Sequence, residues 1–308
     1  MDYGGPTRIG RGASRGHHGE ILQGVFRSGD ALVHGLITVP CSEFGSTATY
    51  YPSAGSTLAV RPSWKKKAAR AAQSALNSLG GRSFGGCLDV NTRGSAGAGC
   101  GTSTSDIVAA VRAVADAHRV TFTPWQVARW AVAAETASDP TMLDEANLLF
   151  GQLTARAIER FSPATLEMVI VSGYDQARPP VLTTEFPRPC YHRDQVATLA
   201  QLLAAARQAF AEDNLGLLAD VATKSAVLNQ KFLPKTAFGD VVDGCLAAGA
   251  VGVQVAHSGN LVGAIVDPAS RHLDRTLHHV GRVLSGAGYA QIRHFRTAYN
   301  RSRESVEP

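Results

Sequence analysis

The chain has 308 residues, of which 44% are hydrophobic and 18% charged, and a formal net charge of +5. This composition excludes disordered and fibrous classes, and the length favours one large or two medium domains. No apolar run is long enough to cross a membrane and the polar N-terminus lacks a signal-peptide core, so we expect a cytoplasmic protein with no membrane partner. The mild positive charge, without interleaved aromatic residues, predicts no nucleic-acid partner.

The five cysteines are scattered along the chain and form no CxxC pair. An odd number of widely spaced cysteines predicts reduced, mostly buried thiols rather than a disulfide framework or a zinc site. They are Cys41, Cys87, Cys100, Cys190 and Cys245.

The first part of the chain reads as an irregular glycine-rich start, over residues 1–20, followed by strands and one basic helix. The helix is expected over Ser63–Leu79, and the lysines at its start, Lys65 to Lys67, are typical of a solvated face. Runs rich in β-branched and aromatic residues, separated by turn residues, predict the strands. These are Ile21–Phe26, Leu32–Val39, Ser46–Tyr51, Thr57–Arg61 and Cys87–Val90.

The stretch Arg93–Ala117, RGSAGAGCGTSTSDIVAAVRAVADA, joins a glycine- and serine-rich loop to an amphipathic helix. Glycines let the loop backbone approach a ligand closely, and the helix N-terminus after it favours an anion such as phosphate. Hydroxyl side chains there suit phosphate oxygens or Mg²⁺. Taken alone, the loop fits a flexible linker before a capped helix equally well, and it matches no common phosphate-loop motif.

The rest of the chain predicts alternating helices and strands. Thr123-Pro124 is a helix start, and that helix ends near Glu135. Strands are expected over Leu153–Glu159, Leu166–Ser172, Gly252–Ala256, Val262–Val266 and Ala290–Phe295, and helices over Arg193–Ala211, Leu215–Asn229, Thr236–Ala248 and His272–Ser285. This order predicts an α+β fold of two sheets, each covered by helices.

Three motifs in order resemble those of the GHMP kinases, a family that includes galactokinase, homoserine kinase and mevalonate kinase. The loop GAGCGTSTSD resembles the family's central GxGLGSSAA motif, with Cys100 in place of the leucine. GASRGHHGEILQG and GVQVAHSGNLVGAIVD lie where the first and third motifs are expected. Within the family, the first and third motifs and SAVLNQKFLPKTAFGDVV are most similar to the L-threonine kinases of cobalamin synthesis.

The resemblance implies a GHMP kinase fold, with an N-terminal domain like domain 2 of ribosomal protein S5 and a ferredoxin-like C-terminal domain. We place these domains at residues 1–162 and 163–300, with a disordered tail at 301–308. The active site would lie between the domains, and a homodimer would follow family habit.

The resemblance also assigns binding residues for ATP and Mg²⁺. Mg²⁺ would be held by the Ser103 hydroxyl and by Glu135. The loop residues around the phosphates would be Gly97, Gly99, Cys100, Gly101, Thr102, Ser103 and Thr104. Residues facing the acceptor substrate would be His17, His18, Glu20, Gln23, Ser258 and Gly259.

Two aspartates are candidates for the base that takes the proton from the acceptor hydroxyl. Asp144 is followed seven residues later by Gly151, as the catalytic aspartate of galactokinases and mevalonate kinases is. Asp139 is the rival, because the threonine kinases carry an E-x-x-D segment near this point. This chain has one extra residue between Glu135 and Asp139, and His18 stands where that subgroup has serine or cysteine.

The sequence therefore predicts an enzyme, an ATP-dependent kinase acting on a hydroxyl of a small polar metabolite. L-threonine, or a related amino acid or amino alcohol, is the leading acceptor. One alternative is a kinase of a specialised pathway acting on another hydroxylated intermediate. The other is a regulator that binds a nucleotide or ligand without turnover.

Overall fold

In the computed structural model, the described residues are 8–80, 84–94, 97–143, 147–162, 166–179 and 189–299. They form an α+β fold, as predicted from the sequence. The strands are β1 (Gly10–Ser28), β2 (Ala31–Ala54), β3 (Leu58–Arg61), β4 (Phe84–Arg93), β5 (Leu148–Gly151), β6 (Arg156–Arg160), β7 (Leu166–Asp175), β8 (Gly252–Val255), β9 (Leu261–Val266) and β10 (Tyr289–Tyr299).

The helices begin and end close to their predicted limits, because apolar spacing and capping residues are local signals. The helices are α1 (Lys66–Ser78), α2 (Thr102–His118), α3 (Pro124–Glu135), α4 (Arg193–Ala211), α5 (Leu215–Asn229), α6 (Phe238–Ala247) and α7 (Leu273–Gly286). Helix α3 starts with a capping box, in which the Thr123 side chain accepts from the Gln126 backbone N–H and the Gln126 side chain accepts from the Thr123 backbone N–H.

The strands lie in one ten-stranded sheet, so the prediction of two separate sheets is wrong. The main path runs β10-β7-β9-β8-β1-β2-β4-β3, with β5 and β6 branching from β2. The two halves of the sheet meet where β1 pairs with β8, at the register Glu20 to Val255. A predicted acceptor-site residue therefore lies at the seam of the sheet.

Strand β1 corrects the expectation of an irregular start for its residues 10–20. It pairs antiparallel with β2 over most of its length. Its glycines allow α2 to lie directly on it. A Cβ added at Gly10 would lie 2.0 Å from the Ala113 carbonyl oxygen, and one at Gly12 would lie 2.2 Å from that of Ala109. Here glycine indicates close packing of a helix on a strand rather than a loop.

Three groups of buried apolar residues form the core. One lies between helices α1 to α3 and strands β2 and β4, and another between helices α6 and α7 and strands β7 to β9. The third lies under α4 and α5 and includes residues of both halves of the chain, from Ile21 to Tyr299. No helix in the described ranges is long and apolar enough to cross a membrane. The division into domains 1–162 and 163–300 stays a prediction.

Candidate functional site

The glycine loop leads into α2 through a left-handed residue. Gly101, the N-cap of α2, has φ +64°, which an L side chain rarely adopts. No side chain of the described residues caps this end of the helix. The first-turn N–H groups and the positive end of the helix dipole are therefore available to an anion.

The turn between β8 and β9 packs directly against the glycine loop. A Cβ at Gly99 would lie 2.3 Å from the Ser258 carbonyl oxygen, and one at Gly259 would lie 2.3 Å from the Ala98 carbonyl carbon. The Asn260 N–H donates to the Ala98 carbonyl at 2.9 Å. These contacts need glycine on both sides, and they tie the loop to the distant C-terminal segment.

A cavity of about 300 Å³ lies beside the loop. The structure brings all the predicted phosphate-site residues to its wall. It also adds side chains that the sequence reasoning did not place there, among them the 74% exposed Trp64 and the lysines Lys65 and Lys67. The predicted residues are Gly97, Gly99, Cys100, Gly101, Thr102, Ser103 and Thr104, together with Glu135 and Asp139.

Two hydroxyl groups of α2 face the carboxylate at the end of α3. Ser103 Oγ donates to Glu135 Oε2 at 2.5 Å, and Thr104 Oγ1 donates to Glu135 Oε1 at 2.6 Å. Lys67 Nζ is 3.6 Å from Glu135 Oε2. Burial raises the pKa of Glu135 to about 7, which the two hydroxyls and Lys67 only partly oppose. A buried carboxylate with so little compensating positive charge, next to a hydroxyl oxygen, suits a divalent cation with hard oxygen ligands.

Lys65 is held in place rather than solvated, which corrects the interpretation of the lysine run for this residue. Its ammonium group donates to the carboxylate of Asp106 and, at 2.5 Å, to Thr92 Oγ1. Asp106 is buried and also accepts from Ser46 Oγ at 2.7 Å. This network ties the start of α1 to α2, so that Lys65 and Lys67 both reach the cavity. Nothing in the run of three lysines distinguishes residues that reach a cavity from residues on a solvated face.

His17 lies between two buried carboxylates. His17 Nε2 is 3.0 Å from Asp139 Oδ2, with the carboxylate off the line of the N–H bond, and His17 Nδ1 is 3.7 Å from Glu20 Oε1. Burial alone lowers the pKa of His17, but Asp139 and Glu20 outweigh this and raise it above its ordinary value. Burial would raise the pKa of Asp139, yet His17 holds it well below its usual range.

The ligand atoms of His17, Glu20 and Asp139 lie within 4.8 Å of one another, a separation that one cation could also bridge. A protonated His17 provides the same positive charge between the two carboxylates.

Glu20 also holds a histidine from the C-terminal segment. Its Oε2 accepts from the His257 backbone N–H at 2.6 Å, and its Oε1 is 2.8 Å from His257 Nδ1. The rings of His17 and His257 are nearly parallel, with centroids 6.4 Å apart. Glu20 is fully buried and lies at the seam of the sheet, and its predicted place at the acceptor stays a prediction.

His18 lies in the core, away from both of the cavities described here, and this corrects its placement at the acceptor. His18 Nε2 is 2.6 Å from Ser172 Oγ, and its Nδ1 is 2.5 Å from Gln254 Nε2. Burial lowers its pKa to about 3, so it is neutral. The other candidate base, Asp144, lies outside the described residues.

A second cavity of about 200 Å³ adjoins the first, and Ala137, His257 and Ser258 line both. Gln23, one of the residues predicted to face the acceptor, is on its wall, and that role stays a prediction. Asn229, which the sequence reasoning missed, is also there, and its buried Nδ2 has no hydrogen-bond partner among the described residues. The sequence of α5 does not predict this position, because nothing near Asn229 distinguishes it from any other buried asparagine in a helix.

Comparison with known proteins identifies the fold. The crystal structure of homoserine kinase from Cytophaga hutchinsonii matches with a TM-score of 0.69 and 12% identity, over 98% of this chain and 98% of that chain. Residues 65–151 match the family model of the GHMP kinases N terminal domain. The chain has the GHMP kinase fold. The matched segment runs from the lysines through the glycine loop to the end of β5. Together with the fold, this match supports the assignment to the GHMP kinase superfamily.

Two further structures share the GHMP kinase fold. L. major mevalonate kinase in complex with R-mevalonate matches with a TM-score of 0.63 and 14% identity, over 97% of this chain and 98% of that chain. Mevalonate diphosphate decarboxylase from Staphylococcus aureus matches with a TM-score of 0.68 and 11% identity, over 94% and 96%. No curated protein matches the chain by sequence. Since kinases and a decarboxylase share the fold, the reaction has to be argued from the site.

Proposed function

We propose that the protein is an ATP- and Mg²⁺-dependent kinase that phosphorylates a hydroxyl of a small polar metabolite. The observation that carries this proposal is the pair of adjoining cavities. The first has the glycine loop, a helix N-terminus and the Ser103–Glu135 pair, and the second is lined by polar side chains. A nucleotide and an acceptor in these cavities would meet beside Asp139 and His257.

The first cavity suits a nucleoside triphosphate because positive groups converge on it. The backbone of Gly97–Thr104 and the N-terminus of α2 would bind phosphate oxygens, and Lys65 and Lys67 add charge from α1. Ser103 and Glu135 would hold Mg²⁺, which when bound neutralises charge on the β- and γ-phosphates. The raised pKa of Glu135 agrees with a carboxylate that is stabilised once a cation is present.

In the proposed step, an acceptor oxygen forms a bond to the γ-phosphorus while the bond from that phosphorus to the bridging oxygen of ADP breaks. The hydroxyl proton passes to a carboxylate. We assign this role to Asp139, which is buried, lines the first cavity and is kept ionised by His17. Its low pKa makes it a weak base, so its main effect is to orient the hydroxyl and take the proton late. Asp144 remains the competing candidate.

The leading acceptor is L-threonine or a related amino acid or amino alcohol, from the resemblance of the first and third motifs. Gln23 and Asn229 lie on the wall of the second cavity, and their amide groups suit a carboxylate or carbonyl oxygen of the acceptor. Tyr191 gives this cavity an aromatic wall. Another hydroxylated metabolite of similar size is the second candidate within the same reaction.

The test is ADP release with ATP and Mg²⁺ against L-threonine, L-serine, L-homoserine and a wider panel of hydroxylated metabolites. Asp139→Asn and Asp144→Asn are assayed in parallel, and Asp243→Asn, an exposed aspartate on α6, is the matched control. We expect turnover that Asp139→Asn reduces by about 10²–10⁴-fold while ATP binding persists, with Asp243→Asn at the wild-type rate.

Loss of turnover in Asp144→Asn, with Asp139→Asn still active, would move the base to Asp144 and leave the kinase intact. ATP binding without transfer to any acceptor would instead support the regulator that binds nucleotide without turnover. Retention on DNA or RNA that weakens with salt would contradict both, since phosphate-backbone contacts depend on ionic strength.

A further inference from the structure

His257 lies where the two cavities meet. It is in the turn after β8, and with Ala137 and Ser258 it lines both cavities. Of these three residues, His257 alone has a side chain that ionises. A phosphoryl group moving from the first cavity to an acceptor in the second would pass this imidazole.

The orientation of the ring is set by Glu20. Glu20 Oε1 is 2.8 Å from His257 Nδ1, and Glu20 Oε2 accepts from the backbone N–H of the same residue. Two contacts from one buried carboxylate fix both the main chain and the ring. The side-chain contact uses Nδ1, so Nε2 is the second donor of the protonated ring. Ser258 Oγ is 3.4 Å from Nε2.

The charge of the ring follows from the groups around it. Burial alone lowers the pKa of His257, but Glu20 and then Asp139 outweigh this and raise it to about 9, although Lys235 opposes them. The nearly parallel ring of His17 is a further titratable group near it. His257 is therefore an imidazolium at neutral pH, a cation fixed at the boundary of the two cavities.

We propose that His257 is a catalytic residue whose Nε2–H donates to the phosphoryl group as it passes between the cavities, with Glu20 as its positioning residue. This inference rests on the proposed kinase function. The bonds that form and break are those of the transfer itself, the hydroxyl proton goes to the aspartate, and His257 keeps its own proton throughout.

The physical reason is the distribution of charge in the reaction. Phosphoryl transfer passes through a loose transition state with negative charge on the equatorial oxygens of the transferred group. A donor that is already oriented and charged stabilises those oxygens without reorganisation. Removing one such donor typically lowers kcat by about 10²–10³-fold.

The experiment compares wild type with His257→Gln under saturating Mg-ATP, with L-threonine as acceptor or the panel member that turns over fastest. The matched control is His294→Gln, which removes an exposed histidine on β10. We expect His257→Gln to lower kcat by about 10²–10³-fold, with the Kd for ATP changed less than about threefold, since the ring acts on the transferred group. His294→Gln should match wild type.

A second variant, Glu20→Gln, separates this role from a structural one. Its single amide oxygen can still accept from Nδ1–H, while the backbone N–H of His257 loses its acceptor. The negative charge that raises the pKa of His257 is gone. The imidazolium persists below its pKa, so wild-type kcat should fall as pH rises through about 9. In Glu20→Gln this fall should begin at lower pH, a shift that a packing defect would not produce.

Each outcome decides between the two proposals. Wild-type transfer with equal kcat in His257→Gln would overturn the role of His257 and leave the kinase standing. The same holds if kcat falls at the same alkaline pH in wild type and in Glu20→Gln. A wild type that binds ATP and transfers nothing would overturn the proposed function, and the role of His257 with it. Melting temperatures of all variants check that they are folded.

Discussion

The two ends of the site are built in different ways. At one end, the glycine loop and the first turn of α2 come from one continuous stretch, residues 97–104. At the other, His17 and Glu20 come from β1, Asp139 from the segment after α3, and His257 from the turn after β8. The Glu20–His257 contact joins residues 237 positions apart.

This difference separates the tasks of the two ends. The loop uses backbone N–H groups and small residues, so its binding capacity depends mainly on local conformation. The histidine–carboxylate cluster depends on the interaction of four side chains that the fold brings together, so its properties depend on the whole fold. Substitutions in the loop should therefore weaken ATP binding, whereas those in the cluster should slow transfer.

The largest effect is expected where the two ends touch. Gly99→Ala adds a Cβ 2.3 Å from the Ser258 carbonyl oxygen, at φ +91°. We expect the free energy of unfolding to fall by about 3–5 kcal/mol from strain and overpacking, and ATP binding to weaken. Urea denaturation and calorimetric titration with ATP measure both quantities.

The matched control is Gly288→Ala, with φ +88° and no atom within 4 Å of the added Cβ. It should lose only about 1–2 kcal/mol of backbone strain and bind ATP normally. Equal losses of stability and ATP binding in the two variants would mean that the contact between loop and turn contributes to neither, and would contradict the comparison of the two ends.

A smaller effect is expected at Glu135, on the side of the loop. Its pKa is raised to about 7 in the fold, so without Mg²⁺ its contribution to stability is present at low pH and is lost as pH rises from about 4.5 to 7. Across that window, the free energy of unfolding of wild type should fall by about 3 kcal/mol relative to Glu135→Gln, which cannot titrate. Histidine contributions are present in both proteins and cancel in the difference.

Denaturant titrations across this pH window, made without Mg²⁺, measure the difference. Glu167→Gln, an exposed glutamate of β7, should give the wild-type pH dependence. Parallel curves for wild type and Glu135→Gln would show that burial does not perturb Glu135, and the argument for a cation at this carboxylate would lose its main support.

The smallest effect is expected in an element that only supports the site. Thr123→Ala removes the capping box of α3, the helix that ends at Glu135. It should cost about 1 kcal/mol in thermal or urea denaturation and leave kcat unchanged. Thr121→Ala, an exposed threonine two residues earlier, should change stability by less than about 0.5 kcal/mol. A large loss of kcat in Thr123→Ala would show that the placement of Glu135 depends on local helix stability.

The elements that were predicted well have signals within a few residues. Helices α4 and α5 have the bounds expected from apolar spacing, and Thr123 caps α3 as expected. The predictions failed where tertiary packing overrides composition. Residues 10–20 look irregular because of their glycines, yet these glycines form a strand that lies flat against α2.

By itself, the sequence determined the glycine loop and the helix that follows it, because these features depend on conformations within one stretch of chain. Only the tertiary structure decided which ionisable groups meet. His17 and His18 are neighbours, but His17 lies beside Asp139 and His18 beside Ser172, where the register of β1 shifts between His17 and Glu20. His257 reaches Glu20 because β8 pairs with β1 at that residue, a register that local propensity does not encode.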